Sequence, residues 1–395
     1  MHNYFIAVGV SLFVVIGTVF ISSGAVDFTQ DPVAQGTSKF LEMVGSSDKN
    51  IRIEALIALG GSSGDYEQVT PAVVGRLGEL DPLESSAASQ AIVDLGSNAV
   101  PHLKPFLESE DYKTYSLGCE ACRVIGEPCS VYVPLLLQRL RDGDERFRGP
   151  SIGAMAGFGQ AALPAMKEIT AALEDKNFMT QVFACKVLAS MGIAAKPAGP
   201  KLVVLAEIGN PSARSWATIA LGAIGPVEEY DVIEILDGKL DDFLLLDKQR
   251  ALQGLALIGP PARAALPNIK RLMADKSKSC PHDAAYAYWK VTGDSEGAST
   301  ALGDLLGDVD YVAATIEILG DMGPAAKGSV PELIELLGST EDHLREGAAL
   351  ALGAIGPAAK SALPALEKVK SDPDLLIRSA AQRAMVAIQK TDDGD

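Results

Sequence analysis

The feature that most narrows what this chain can fold into is a turn written many times over. Ala349 to Val369 reads ALALGAIGPAAKSALPALEKV: the end of one amphipathic helix, a Gly-Pro break, and the start of another. Close copies stand at Ala220 to Val227 (ALGAIGPV), Ala256 to Ile269 (ALIGPPARAALPNI) and Ile318 to Leu333 (ILGDMGPAAKGSVPEL). The glycines that close the second helix of successive repeats are Gly96, Gly126, Gly159, Gly192, Gly225, Gly259, Gly293, Gly323 and Gly356, spaced 30, 33, 33, 33, 34, 34, 30 and 33 residues apart. An earlier repeat ends near Gly60 to Gly64, where Arg52 and Gly60 take the places of Arg345 and Gly353, and a last one runs to about Gln389. Roughly eleven repeats therefore fill residues 31–390, and because each leans only on its neighbours, the 395-residue length does not count domains.

Within a repeat the apolar period is helical twice. Val330, Leu333, Ile334 and Leu337 follow i, i+3, i+4, i+7 in a first helix, and Leu344, Ala348, Leu352 and Ile355 follow i, i+4, i+8, i+11 in a second. The two stripes must face each other. The closing glycines suit a left-handed helix end, and Pro134, Pro164, Pro267, Pro331 and Pro364 suit a first helical turn, where no N–H donor is needed. Asp144, Asn210, Asp342 and Asp374 precede second helices and read as caps, while Arg148, Arg214, Arg345 and Arg378 read as an Asp-to-Arg ladder between stacked repeats. Aromatic residues make up only 6% against 48% apolar, so small aliphatic side chains supply the burial and helices approach closely.

This pattern of paired helices, the acid and arginine between them, and the recurrent LGxIGPxAxxAxP turn resembles HEAT repeats of the short bacterial, phycobilisome-lyase-like type. The resemblance covers about nine tenths of the chain. It implies an all-α fold, a right-handed α-solenoid of about eleven HEAT-like helix pairs, whose usual work is holding other proteins. Departures lie in the third and ninth repeats, each about three residues short, and in the seventh, which lacks the proline before its first helix.

Ahead of the array, Phe5 to Ile21 is an uncharged run followed by Ser22, Ser23, Gly24 and Ala25. It reads as an N-terminal hydrophobic leader helix over residues 1–26, either a cleaved signal peptide or a membrane anchor. Both place the array across a membrane, as a periplasmic or cell-envelope protein, free or anchored in the inner membrane. Residues 391–395 form an acidic tail. The 51 acids against 34 bases give a formal charge of −17, which opposes nucleic acid as a partner because no surplus of cations can release counterions from phosphates.

No pattern of catalytic, cofactor-binding or metal-binding residues emerges. His2, His102, His282 and His343 are not followed by Glu, so the paired His-Glu sets of an iron-dependent HEAT hydroxylase are missing. Cys119 and Cys122 form a CxxC, yet it lies within a second helix with no further CxxC or nearby His, and Cys119 and Cys185 share the register of Ala349. The expectation is buried structural thiols, with Cys129 in reach of Cys122 across the helix end. The acidic run around Asp237, Asp241 and Asp242, with Glu228, Glu229, Asp231, Glu234 and Asp247, lacks the ligand order of a calcium loop and reads as a solvated face.

One register stands out. Nine residues before the closing glycine several repeats carry a small residue, including Ala87, Ala284, Ala314 and Gly347, but three consecutive repeats carry Phe183, Trp216 and Arg250. These types are enriched at interface hot spots, and the position lies at the edge of the buried stripe. Either they fill gaps between repeats or they form a ridge that binds protein. The reading is a non-catalytic protein-binding scaffold, exported or membrane-tethered, with other proteins as partners and Phe183, Trp216 and Arg250 as the candidate contacts. The alternatives are an enzyme acting on a tetrapyrrole in the manner of a bilin lyase, and a passive structural element of the cell envelope.

Overall fold

A computed structural model of the chain describes residues 37–390, apart from 62–64, 79–80, 143, 228–229, 243 and 276–279. The expected leader over 1–26 and the acidic tail over 391–395 lie outside the described residues. Among the described residues there are twenty-two α-helices, in eleven successive pairs, and no strand beyond one isolated antiparallel bridge between Val227 and Tyr230. The fold is an all-α solenoid.

Two compact blocks share the pairs, dividing the described residues between 232 and 233. In the first block the pairs are α1 (Thr37–Val44) with α2 (Lys49–Gly60), α3 (Tyr66–Val74) with α4 (Pro82–Leu95), and α5 (Lys104–Leu107) with α6 (Tyr112–Ile125). They continue with α7 (Val133–Arg141) and α8 (Glu145–Met155), α9 (Met166–Ala171) and α10 (Phe178–Met191), then α11 (Gly199–Ile208) and α12 (Pro211–Ile224). The second block holds α13 (Val232–Gly238) with α14 (Leu245–Ile258), α15 (Leu266–Ala274) with α16 (Pro281–Thr292), and α17 (Ser295–Gly303) with α18 (Val312–Met322). It ends with α19 (Val330–Leu336) and α20 (Asp342–Ile355), then α21 (Leu363–Val369) and α22 (Leu375–Gln389).

The two stripes do meet. Val330, Leu333 and Leu337 at α19, and Ala348, Leu352 and Ile355 on α20, are buried, each large aliphatic side chain contributing about 1.5–3 kcal/mol relative to exposure. Ile334 and Leu344 sit half-buried at the stripe edges. Consecutive second helices also come very close: a Cβ added at Gly353 would stand 2.9 Å from the Cα of Ala384, and one at Gly60 would stand 2.8 Å from that of Ala91.

All nine closing glycines have positive φ, from +52° to +81°. The left-handed helix end expected for them occurs at Gly293, where ψ is −1°. At Gly96, Gly126, Gly192, Gly225, Gly259, Gly323 and Gly356, ψ instead falls between −132° and −158°, a mirror-β region that a Cβ excludes. From there the chain enters a 3₁₀ segment, such as Gly192–Ala198, Gly323–Ser329 or Gly356–Ala362, before the next first helix begins. This segment leaves α19 and α21 only seven residues each. Pro134, Pro267, Pro331 and Pro364 occupy first helical turns as expected, whereas Pro164 lies inside the 3₁₀ segment Gly159–Ala165 ahead of α9. After Gly293 no such segment intervenes, because Asp294 directly caps α17 by accepting the N–H of Gly297 at 2.9 Å, which accounts for the short ninth repeat.

Asp144 and Asn210 cap their helices through the N–H groups of Arg146 and Ser212, both at 3.0 Å, and Asp374 accepts the N–H of Ile377 at 3.3 Å. Asp342 does not cap. The helix starts one residue earlier, so Glu341 holds the cap position and Asp342 accepts a hydrogen bond from Arg345 Nη2 at 2.7 Å. The arginine ladder is present and works in two directions. Arg345 donates to the carbonyls of Ser339 and Thr340 in its own turn and, at 2.8 Å, to Asp372 of the next repeat. Arg52 likewise holds the carbonyls of Ser46 and Ser47 and the buried Glu84, and Arg148 reaches Asp175 at 3.0 Å.

The Arg345 hydrogen bond holds the Asp372 carboxyl below the usual carboxylate range. A group so depressed stabilises the fold above its unfolded pKa and loses that contribution as pH falls through the folded value. Arg345→Met should therefore flatten the acid limb of a stability–pH curve below about pH 4, read by urea unfolding at stepped pH. Gly356→Ala meets nothing within 4 Å, so its cost is backbone strain alone, about 1–3 kcal/mol, visible as a lower urea midpoint.

Candidate protein-binding face

Phe183 on α10 and Trp216 on α12 stand one repeat apart, both half-buried. Lys186 links them: its Nζ lies 4.5 Å from the centroid of the Trp216 ring and 5.9 Å from that of Phe183. A cation over two ring faces keeps the aromatic surfaces in place while leaving part of each open to solvent.

Phe183 also touches the preceding repeat. A Cβ at Gly153 would lie 3.3 Å from its ring, and one at Gly149 would lie 4.0 Å away, so part of the ring fills room left on α8. Gap filling thus describes one edge of Phe183. The same ring lines a cleft of about 580 Å³, within the range of small-ligand and side-chain pockets. Its floor is the bare surface of α8 at Gly149, Pro150 and Gly153; Tyr112, Ser116 and Glu120 of α6 border one side, and Met179 and Phe183 of α10 the other. Tyr112 is 46% exposed and Met179 41%. Ser116 Oγ is buried there without a hydrogen-bond partner. At the rim Arg123 pairs with Glu120, and Arg146 pairs with Asp144 at 2.8 Å. Sequence reading missed this cleft, although Gly149, Pro150 and Gly153 at positions where neighbouring repeats carry side chains were its signal.

Arg250 belongs to the other block. It is half-buried on α14, where its Nη1 donates to Gln253 Oε1 at 2.7 Å. In that block Trp289, aligned in sequence with the core residue Leu352, is half-buried rather than core. Its ring stands edge-on to Tyr286 at 5.6 Å, and Lys290 Nζ lies 4.3 Å from its centroid. Burial lowers the Lys290 pKa and raises that of Asp321.

The CxxC is structural in geometry. All five cysteines are free and buried. Cys119 and Cys122 lie within α6, and Cys129 is buried in the 3₁₀ segment Glu127–Tyr132 that follows it. Burial raises the Cys119 and Cys185 thiols strongly and pushes Cys280 up to about 12. Among the described residues no group of three or more His, Cys, Asp or Glu side chains is placed to hold a metal ion. In the acidic run, Asp237 accepts both available contacts from Asn268 Nδ2 and Asp241 pairs with Arg271.

Residues 301–386 match the family model for HEAT repeats. Among solved structures, an engineered protein from a structural-genomics programme is similar over 91% of this chain and all of its own, at 19% identity and a TM-score of 0.41. A chain from a structure concerned with a phosphorylation switch in the interaction between cadherin and β-catenin matches over 91% of each chain, at 11% identity and a TM-score of 0.37. No curated protein matches.

Thiols this buried should resist alkylation. Iodoacetamide at pH 8 is expected to leave all five cysteines unmodified in the folded chain and to label all five in urea, as read by intact-mass spectrometry.

Proposed function

We propose that this HEAT-repeat protein is a non-catalytic scaffold that holds other proteins, exported or tethered to a membrane by its apolar leader. The observation that carries the reading is the Phe183–Lys186–Trp216 cluster beside the glycine-floored cleft. Aromatic side chains fixed by a cation, partly exposed and bordering a concave apolar surface, have the make-up of an interface anchor. At the same register Ala87, Ala284, Ala314 and Gly347 are small, so repeat packing as such does not call for them. The uncharged run from Phe5 to Ile21 supports export or tethering, and Arg250 extends the set of proposed contacts by residue type and register.

The test is capture from detergent-solubilised membranes with the tagged full chain, followed by mass spectrometry that also reads the mature amino terminus. Partners taken by the wild type should be depleted about tenfold or more in a Phe183→Ala/Trp216→Ala variant, with the helical melt retained. Arg250→Ala is expected to weaken capture in the same direction. Recovery of the same partners in the same amounts by the double variant would overturn the assignment of this face.

A further inference from the structure

The stretch that carries Phe183 and Trp216 has the opposite charge to the chain as a whole. From Lys176 to Val227 there are five bases, Lys176, Lys186, Lys196, Lys201 and Arg214, against one acid, Glu207, whereas the full chain holds 51 acids against 34 bases. Neither α10 nor α12 contains an Asp or Glu. Lys186 stands over the two rings, and two further lysines stand at the ends of its helix: Lys176 just ahead of the cap residue Asn177, and Lys196 in the 3₁₀ segment Gly192–Ala198 that leaves α10. Both are exposed and, among the described residues, make no ion pair.

The acids that border this face are engaged by arginine or lysine. At the cleft Glu120 pairs with Arg123, Asp144 with Arg146 at 2.8 Å, and Glu145 with Arg148 at 3.6 Å. In the turn before α10, Glu174 pairs with Lys201 at 2.7 Å and Asp175 with Arg148 at 3.0 Å. Lys113 adds an exposed base on α6, and Glu207 an exposed acid at the end of α11. The acidic run after α12 begins only at Glu228, twelve residues beyond Trp216. Charges in solution are screened beyond about 8 Å at physiological ionic strength, so a ligand lying on the two rings meets Lys186 and the lysines flanking α10 before it meets the net −17. An ammonium offers three donors and no acceptor, and a carboxylate is its strong partner. The cleft floor of Gly149, Pro150 and Gly153 beside Phe183 takes a side chain, which a flat bilayer does not supply.

We propose that the segment docked on this face is acidic: its apolar side chains lie on Phe183, Trp216 and the cleft while an Asp or Glu carboxylate meets Lys186, an acidic amphipathic helix being its simplest form. The proposal rests on the scaffold reading and deepens it by giving the partner's chemistry.

The probe is a fluorescent peptide of leucine and glutamate with its leucines spaced i, i+3, i+4, i+7, titrated with the full chain in a nonionic detergent, empty micelles serving as the blank. Its counterpart carries lysine in place of glutamate. The wild type should bind the glutamate peptide at least about tenfold more tightly than the lysine peptide. Lys176→Gln/Lys186→Gln/Lys196→Gln should weaken the glutamate peptide about tenfold or more with the helical melt retained. Lys176→Gln/Lys196→Gln, which leaves the rings and their cation in place, should weaken it about threefold, and decides the matter if the triple variant does not melt cooperatively. Lys327→Gln/Lys360→Gln/Lys368→Gln makes the same change in net charge at exposed positions of the other block and should bind as the wild type does. Unchanged binding by both the first triple variant and the double variant, an equal loss in the second triple variant, preference for the lysine peptide, or preference for phosphatidylglycerol vesicles over the glutamate peptide would each overturn the proposal. Membrane capture separates the two assignments: loss of partners by Phe183→Ala/Trp216→Ala with full retention by Lys176→Gln/Lys186→Gln/Lys196→Gln leaves the scaffold reading standing and removes this one.

Discussion

The structure depends on how closely the second helices of neighbouring repeats approach. At Gly353 against Ala384 and at Gly60 against Ala91 there is no room for a Cβ, so backbone packs almost directly on side-chain-free backbone. At these two joints the contact fixes where a repeat sits on the next one, and the larger aliphatic residues then close the space around it. The arginine ladder sets the same joint from the other end of the helix: Arg345 gathers the carbonyls of its own turn and the acid of the following repeat into one hydrogen-bonded bracket. Burial supplies most of the stabilisation, while the glycine contact and the bracket supply register.

Much of this architecture was legible in the sequence, for identifiable reasons. The closing glycines could be placed by number because no other residue tolerates their φ at low cost. Their ψ could not, since glycine admits several positive-φ regions and the choice is made by the 3₁₀ segment that follows. The stripes around Leu333 and Leu352 were readable from period alone. Asp342 was misplaced as a cap because Glu341 beside it is equally acidic, and composition does not tell which of two adjacent acids lies outside the helix.

The candidate surfaces were harder to read. Phe183 and Trp216 stood out as large residues in a small register, but Lys186, which joins them, lies on the next turn of one helix and belongs to no obvious motif. The cleft is defined by missing side chains at Gly149 and Gly153, and its two borders come from different repeats. Both surfaces appear where a residue departs from what its place in the repeat requires. In a chain built from one template, such departures carry more information than any motif.

The glycine joints have a mechanical corollary within each block. Repeats are coupled in series, and at Gly60 against Ala91 and Gly353 against Ala384 the coupling includes a bare backbone contact, so a pull on the end of a block is borne by every joint in turn and their small compliances add. Helix pairs connected in series can accommodate strain by minor rotations shared among many joints without breaking any helix. Were two proteins held by separate repeats of one block, each would feel the other through tension rather than touch.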